Sequence, residues 1–368
     1  MMRIPHAVCD LVLLALYTSA CASASRPKLA KPAMASAVPA NVKLPVRYGK
    51  LQVVGTHLCD SSGKPIQLRG VSTMGLQWYG GILNDAAFEA LKKDWKADVV
   101  RLAMYPGEGG YAFHPELKEL VWQGIELAIQ YGMYVNVDWQ MLNPGNPNDP
   151  LYGGSQAFFD EVSKKYGKYP NLLYEIMSEP NGKVSWADDL KPYAEKIVAT
   201  IRANDPDNPI LIGSGTWSQD VDVAAADPLQ GKNLMYSFHF YAGTHGQALR
   251  DKVQAALDRG VAVFATEWGT SQASGTGGTF LPESEEWLAF LDRHMISWTN
   301  WSLCDKSETS AALVNLYELM KRGKTALAER ESLLVPETMG PEGYPIWSPE
   351  ELSPSGAFVR AKMRAGRQ

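Results

Sequence analysis

At 368 residues, 45% hydrophobic and 20% charged, the chain is long enough to bury one large core, and length alone leaves one domain or two open. The formal net charge is −5. No basic block occurs outside the extreme ends, so a phosphate-binding footprint is missing and nucleic acid is not an expected partner. Trp (11) and Tyr (16) are plentiful, but flat rings serve cores and binding faces alike and decide nothing alone.

Residues 1–24 read as a signal peptide. Arg3 supplies the positive start, Leu11 to Tyr17 the apolar run, and Ala20-Cys21-Ala22 and Ala22-Ser23-Ala24 two small-x-small cleavage sites. Asp10 beside the apolar run is atypical of such a leader. The run is too short to span a bilayer, so no transmembrane segment is expected. Alternatively, Cys21 is the lipidated first residue of a lipoprotein, although Thr18 stands where such leaders usually carry Leu. The expected location is therefore secreted, periplasmic or lipid-anchored at the cell surface. Residues 25–48, rich in Ala, Pro, Lys and Ser without apolar period, read as a flexible linker.

A domain is expected over 49–368. Leu51 to Val54 and Ile66 to Leu68 flank the turn-rich Asp60-Ser61-Ser62-Gly63-Lys64-Pro65, which predicts an N-terminal β-hairpin. Short apolar strands follow at Gln67–Ser72, Val99–Met104, Tyr134–Trp139, Leu172–Ser178, Ile210–Gly213, Met235–Tyr241, Ala262–Glu267 and Trp298–Ser302. Amphipathic stretches such as Glu116 to Tyr131 and Tyr193 to Asn204 lie between them. Eight strands alternating with helices predict a single (β/α)8 TIM barrel of the α/β class. An open doubly wound sheet would show an early glycine-rich phosphate loop, which is missing here. Cys59 and Cys304 fall at opposite ends of such a barrel and are expected to be unpaired thiols.

Each strand ends in a polar or aromatic cluster: Trp78-Tyr79, Tyr105, Asp138-Trp139-Gln140, Ser178-Glu179-Pro180, Trp217, His239-Phe240-Tyr241, Glu267-Trp268 and Trp301. The C-terminal strand ends form the site in barrels of this kind, so the clusters converge on one mouth. Glu179 ends the fourth strand and Glu267 the seventh. Two carboxyls facing each other across a shared space are the machinery of glycosidic bond cleavage, and a separation of about 5 to 5.5 Å implies retention of configuration.

Long motifs carry a resemblance. They are Gly75-Leu76-Gln77-Trp78-Tyr79-Gly80, Ala103-Met104-Tyr105, Tyr174-Glu175-Ile176 leading into Glu179-Pro180-Asn181-Gly182, and Gly215-Thr216-Trp217-Ser218-Gln219-Asp220. Phe238-His239-Phe240-Tyr241-Ala242-Gly243-Thr244-His245-Gly246, Thr266-Glu267-Trp268-Gly269-Thr270-Ser271 and Asn300-Trp301-Ser302-Leu303 continue them. From about residue 50 to the C-terminus the sequence resembles glycoside hydrolase family 5, in its bacterial endo-β-1,4-glucanase branch. The resemblance implies a retaining double displacement, with Glu179 as acid/base and Glu267 as nucleophile. It implies that Arg101 pairs with the nucleophile and holds it ionised, that Tyr241 lies beside it, and that His239 lies near the acid/base. Trp301 is the implied platform under the sugar at the cleavage point, Trp78, Lys306 and Glu308 are implied glycone contacts, and Trp217 an aglycone platform. No metal and no cofactor is implied; the expected partner is a polysaccharide or oligosaccharide, and a monomer is the default.

The sequence departs from that family at three places in the ring: Ser178 stands for Asn, Gln140 for His and Met74 for His. Three readings follow. The chain is a slower glucanase, or a hydrolase or transglycosylase retuned to another β-linked polysaccharide such as mannan, chitosan or mixed-linkage glucan, or a weakly active glycan-binding barrel. A fourth departure is an insertion at about 314–334, whose Leu316 to Gly323 and Thr325 to Arg330 look helical. Following the eighth strand, it reads as surface decoration or as a wall shortening the cleft.

Overall fold

The computed structural model describes residues 46–321, 323 and 332–366. The leader at 1–24, the linker up to residue 45, and residues 322 and 324–331 of the insertion lie outside the described residues.

A two-stranded hairpin, β1 (Gln52–Val54) and β2 (His57–Cys59), precedes eight strands: β3 (Arg69–Thr73), β4 (Val99–Met104), β5 (Tyr134–Gln140), β6 (Leu172–Ser178), β7 (Ile210–Ile212), β8 (Leu234–Tyr241), β9 (Val263–Gly269) and β10 (Trp298–Leu303). These eight pair in sequence order, all parallel, and β10 returns to β3 to close the barrel. Helices Asp85–Lys93, Lys118–Gln130, Ser155–Tyr166, Lys191–Arg202, Val221–Ala226, Gln247–Asp258, Leu281–Arg293 and Pro354–Arg364 follow the strands in turn. The predicted barrel therefore forms, its strand ends within two residues of expectation. No helix among the described residues is long and apolar enough to cross a membrane.

The hairpin differs in its partner. Gln52–Val54 pairs with His57–Cys59, not with Ile66 to Leu68. Gly55, at φ 58°, permits a two-residue connection, which closes a hairpin more tightly than the longer turn at Asp60 to Pro65. That longer turn instead folds Ile66 back, its N–H donating to Leu58 O at 2.9 Å.

Local signals explain the helices. Asn84 caps Asp85–Lys93, its side chain accepting from the Ala87 N–H, while Ala87, Phe88, Ala90 and Leu91 turn inward. A cap of this kind is worth about 1 kcal/mol.

Inside the barrel the period of two sorts side chains by height. At the N-terminal end Val99, Tyr134, Leu173, Leu211, Met235 and Phe264 pack with Leu51, Leu58, Ile66 and Leu68, so the hairpin plugs that end. Two positions on, the same strand faces carry Arg101, Asn136 and Glu175, all fully buried. Buried polar groups must find partners or cost several kcal/mol, and those partners lie at the open end.

Candidate active site

Arg101 organises the mouth. Its Nε donates to Glu175 Oε2 at 2.7 Å, Nη1 to Glu267 Oε2 at 3.1 Å and to Ser72 Oγ at 3.2 Å, and Nη2 to Gln140 Oε1 at 2.8 Å. Nη2 also lies 3.1 Å from Asp138 Oδ2. Burial opposes the guanidinium charge, but Asp138, Glu175 and Glu267 outweigh it and push its pKa up.

From Arg101 the contacts close a ring. Gln140 Nε2 donates to Glu179 Oε2 at 3.3 Å. Glu179 Oε1 meets His239 Nδ1 at 3.0 Å. His239 Nε2 lies 3.5 Å from Glu175 Oε1, and Glu175 returns to Arg101. Glu267 joins through Arg101 and through the Tyr241 hydroxyl, which donates to its Oε1 at 2.7 Å. Carboxylate oxygens of Glu179 and Glu267 and a ring nitrogen of His239 all lie within 4.8 Å of one another. Among the described residues this is the only convergence of three such groups able to hold an ion. Each Glu267 oxygen already accepts a hydrogen bond, Oε2 from Arg101 and Oε1 from Tyr241.

Electrostatics follow from that crowding. Burial and the neighbouring Glu179 push Glu267 up to about 7, against the pull of His239, Arg101 and Tyr241. Burial lowers His239, but Glu267, Glu175 and Glu179 prevail and raise it to about 10. Burial opposes ionisation of Glu175, yet Arg101 and His239 bring it down to about 2. His239 therefore carries its proton at neutral pH, close to Glu267, whose own ionisation falls near 7.

Backbone strain sits at the same place. Glu179 has φ 61°, and Thr216, Trp217 and Ser218 have φ 52°, 54° and 58°. Each left-handed non-glycine residue costs about 1 kcal/mol or more. Two hydrogen bonds tie the strained segments together: Glu179 N–H to Ser218 Oγ at 3.2 Å and Trp217 N–H to Pro180 O at 2.9 Å. They hold Glu179 toward the mouth and leave Trp217 47% exposed.

The other sequence candidates fall around this centre. Trp78, 44% exposed, leans over Tyr105 with ring centroids 5.3 Å apart. Trp301 is almost buried among Met74, Ala103, Tyr105, Tyr241, Cys304 and Ala311, 6.0 Å from the Arg101 guanidinium. Lys306 pairs with Glu308 at 2.6 Å, and Ser310 Oγ also donates to Glu308. Ser178 is fully buried, its hydroxyl donating to Gln140 Oε1 at 2.8 Å. Met74 places its sulfur 4.0 Å from Ser302 Oγ and from Cys304 Sγ. Cys59 and Cys304 are both free and buried.

Sequence reasoning assigned no role to Glu175, Ser218, Thr266 or His245. Glu175 links Arg101 to His239, and Thr266 Oγ1 lies 3.0 Å from His239 Nε2. His245 Nδ1 accepts from the Tyr241 N–H at 2.8 Å, so in its neutral form the proton sits on Nε2. A buried glutamate inside the apolar strand Leu172–Ser178 is the readable signal for the first; Thr266 meets His239 across the β8–β9 pairing, and Ser218 and His245 depend on the geometry of the segments after β7 and β8.

A family profile described as Cellulase (glycosyl hydrolase family 5) matches residues 59–307. The chain is 53% identical over 266 residues to an endoglucanase of Clostridium saccharobutylicum, covering 72% of this chain and 59% of that protein. It is 48% identical over 304 residues to endoglucanase A of Evansella cellulosilytica, covering 82% and 57%. The chain thus spans less than two thirds of the length of these relatives. Among solved structures, the alkaline cellulase K catalytic domain superposes with a TM-score of 0.79 at 42% identity, covering 86% of this chain and 94% of that one. A thermostable, highly halotolerant GH5 cellulase from an Icelandic hot spring isolate gives 0.78 at 42%, covering 86% and 95%. With the barrel, the paired glutamates and a profile match over most of its length, the chain belongs to glycosyl hydrolase family 5.

Proposed function

We propose that the protein is a retaining endo-acting β-1,4-glucanase, with Glu179 as general acid/base and Glu267 as nucleophile. The observation that carries this reading is the approach of the two carboxylates to within 4.8 Å. That spacing suits direct attack by one carboxylate, whereas inversion needs about 6.5–9.5 Å to admit a water. The endoglucanase and cellulase relatives support β-1,4-glucan as substrate.

On this reading each step falls to a named group. Glu179 gives its proton to the glycosidic oxygen as a Glu267 oxygen attacks the anomeric carbon, breaking the C–O bond and forming a glycosyl ester. Glu179, now ionised, takes a proton from water, whose oxygen attacks the same carbon and releases Glu267. Arg101 and Tyr241 donate to the two Glu267 oxygens, stabilising the ionised nucleophile before attack and after release. His239, 3.0 Å from Glu179, keeps a proton at the acid/base end. Exposed Trp78 and Trp217 offer faces for sugars on either side.

Hydrolysis of soluble β-1,4-glucan, with Glu267→Ala as control, tests the reading. Turnover lost in the variant supports it; equal behaviour of both proteins favours a glycan-binding barrel. Preference for mannan, chitosan or mixed-linkage glucan over β-1,4-glucan would mark retuning. The leader-like residues 1–24 support action outside the cytoplasm, and their loss from the mature protein, read by N-terminal sequencing, is the expected mark. Sedimentation as a single chain is expected for a monomer.

A further inference from the structure

Gln140 and Ser178 are register partners in the parallel pairing of β5 with β6, just past an irregularity in the ladder. Their side chains meet as well. Ser178 has no exposed surface, so its hydroxyl does not reach a bound sugar; it donates to Gln140 Oε1 at 2.8 Å. The same oxygen accepts from Arg101 Nη2 at 2.8 Å. A guanidinium only donates, so the carboxamide has one workable orientation, with its oxygen toward Arg101 and Ser178. Its nitrogen must then face Glu179, and Nε2 lies 3.3 Å from Glu179 Oε2.

We propose that Gln140, clamped by Arg101 and Ser178, is the positioning residue that steadies Glu179 as it gives up its proton, and that Ser178, which also bonds the buried Asp138, reaches Glu179 through Gln140. This rests on the reading of Glu179 as acid/base. An N–H donor favours the ionised carboxyl over the protonated one. Its contact with Glu179 is long at rest and has room to shorten as charge builds on the oxygen. A contact that strengthens toward the transition state raises kcat rather than lowering KM. Through the same carboxamide, Arg101 touches both halves of the machinery, the nucleophile directly and the acid/base at one remove.

The other groups facing Glu179 are His239 from β8, Glu267 from β9, and Tyr105, Tyr241 and His245, which all sense its charge. Arg101 and Asp138, which touch Gln140 and Ser178, stand behind them, so the Q140L/S178A double variant is needed to separate an effect through Gln140 from one through that buried pair.

The test is the pH dependence of kcat and KM on cellopentaose for the wild type, Q140E, Q140L, S178A and the Q140L/S178A double variant. Q140E keeps the shape and the clamped oxygen but turns a second oxygen toward Glu179. Its kcat is expected to fall about tenfold or more with KM nearly unchanged, as loss of a donor in the transition state requires. Its alkaline limb is expected to move up by about half a pH unit or more, since Glu179 then holds its proton longer. S178A is expected to shift the limb the same way by less, and to add nothing in the Q140L background. An unmoved alkaline limb in Q140E overturns the proposal, and so does an S178A cost that is equal in both backgrounds. Should Q140E fail to fold, S178A alone decides, because an unmoved limb there is equally fatal. A wild type without turnover on any β-1,4-glucan overturns the hydrolase reading itself, and this inference with it.

Discussion

Glu179 and Glu267 bring carboxylate oxygens within 4.8 Å of each other although β7 and β8 separate their parent strands. The approach is possible because Glu179 takes a left-handed backbone at φ 61°, while Arg101 and Tyr241 fix Glu267 from below and beside. The two carboxyls then have different neighbours and, as proposed, different tasks.

That division predicts different responses to removal. Glu179→Ala is expected to lower kcat on β-glucan by about 10²–10⁴-fold, the usual worth of a general acid. It should cost far less in the first chemical step on an aryl cellobioside whose phenol leaves without protonation. Glu267→Ala is expected to lose turnover on both substrates. Pre-steady-state release of the phenol checks the contrast, and equal losses for the two variants contradict it.

The acid limb of the pH–rate profile should report Glu267. Burial and Glu179 push its carboxyl up to about 7, and attack requires the ionised form, so kcat/KM should fall as pH drops through about 7. Tyr241→Phe removes the hydroxyl that donates at 2.7 Å. With one donor fewer the carboxyl rises further, so the variant should lose more activity at pH 6 than at pH 8. A uniform loss across pH contradicts this.

The same raised pKa has a cost in stability. Glu267 titrates higher folded, at about 7, than its ordinary 4.5. Its favourable contribution is therefore complete below about 4.5 and is lost as pH rises through 7. Glu267→Gln, which stays neutral, should melt above the wild type at pH 8, and the gain should shrink toward pH 4.5. Thermal melts at the two values check this; a gain independent of pH rules it out.

Trp78 and Trp217 are the two exposed tryptophans at the mouth, at 44% and 47%. Replacing either with Ala should raise KM for long β-glucan by about tenfold, roughly 1.4 kcal/mol of lost contact. Changes on an aryl cellobioside should be small for Trp217→Ala if its sugar lies beyond the leaving group. Kinetics on both substrates check the assignment.

Much of this was legible in the sequence. Strand period and spacing gave the barrel, and the residues closing each strand gave Glu179, Glu267, Tyr105 and Gln140, because side-chain alternation and strand polarity are local properties. The hairpin partner was not legible because two turn-forming segments compete, and the two-residue Gly55-Thr56 connection closes the pairing before the longer Asp60 to Pro65 turn. Arg101 pulls the Glu267 carboxyl down but is shared with Asp138 and Glu175; these partners come from three different strands, so the sharing was not readable from spacing. Gln140 and Ser178 looked like separate departures, and only the β5–β6 register makes them neighbours. The insertion begins as a short helix, Leu316–Lys321, but its reach over the cleft depends on residues outside those described.

The most direct measurement is the anomeric configuration of the first product, followed by proton NMR during hydrolysis of a β-1,4-glucan before mutarotation sets in. Carboxylates this close, attacking in two displacements, must release the β-anomer first. The α-anomer appearing first would mean that water attacks directly, and that Glu267 is not the nucleophile.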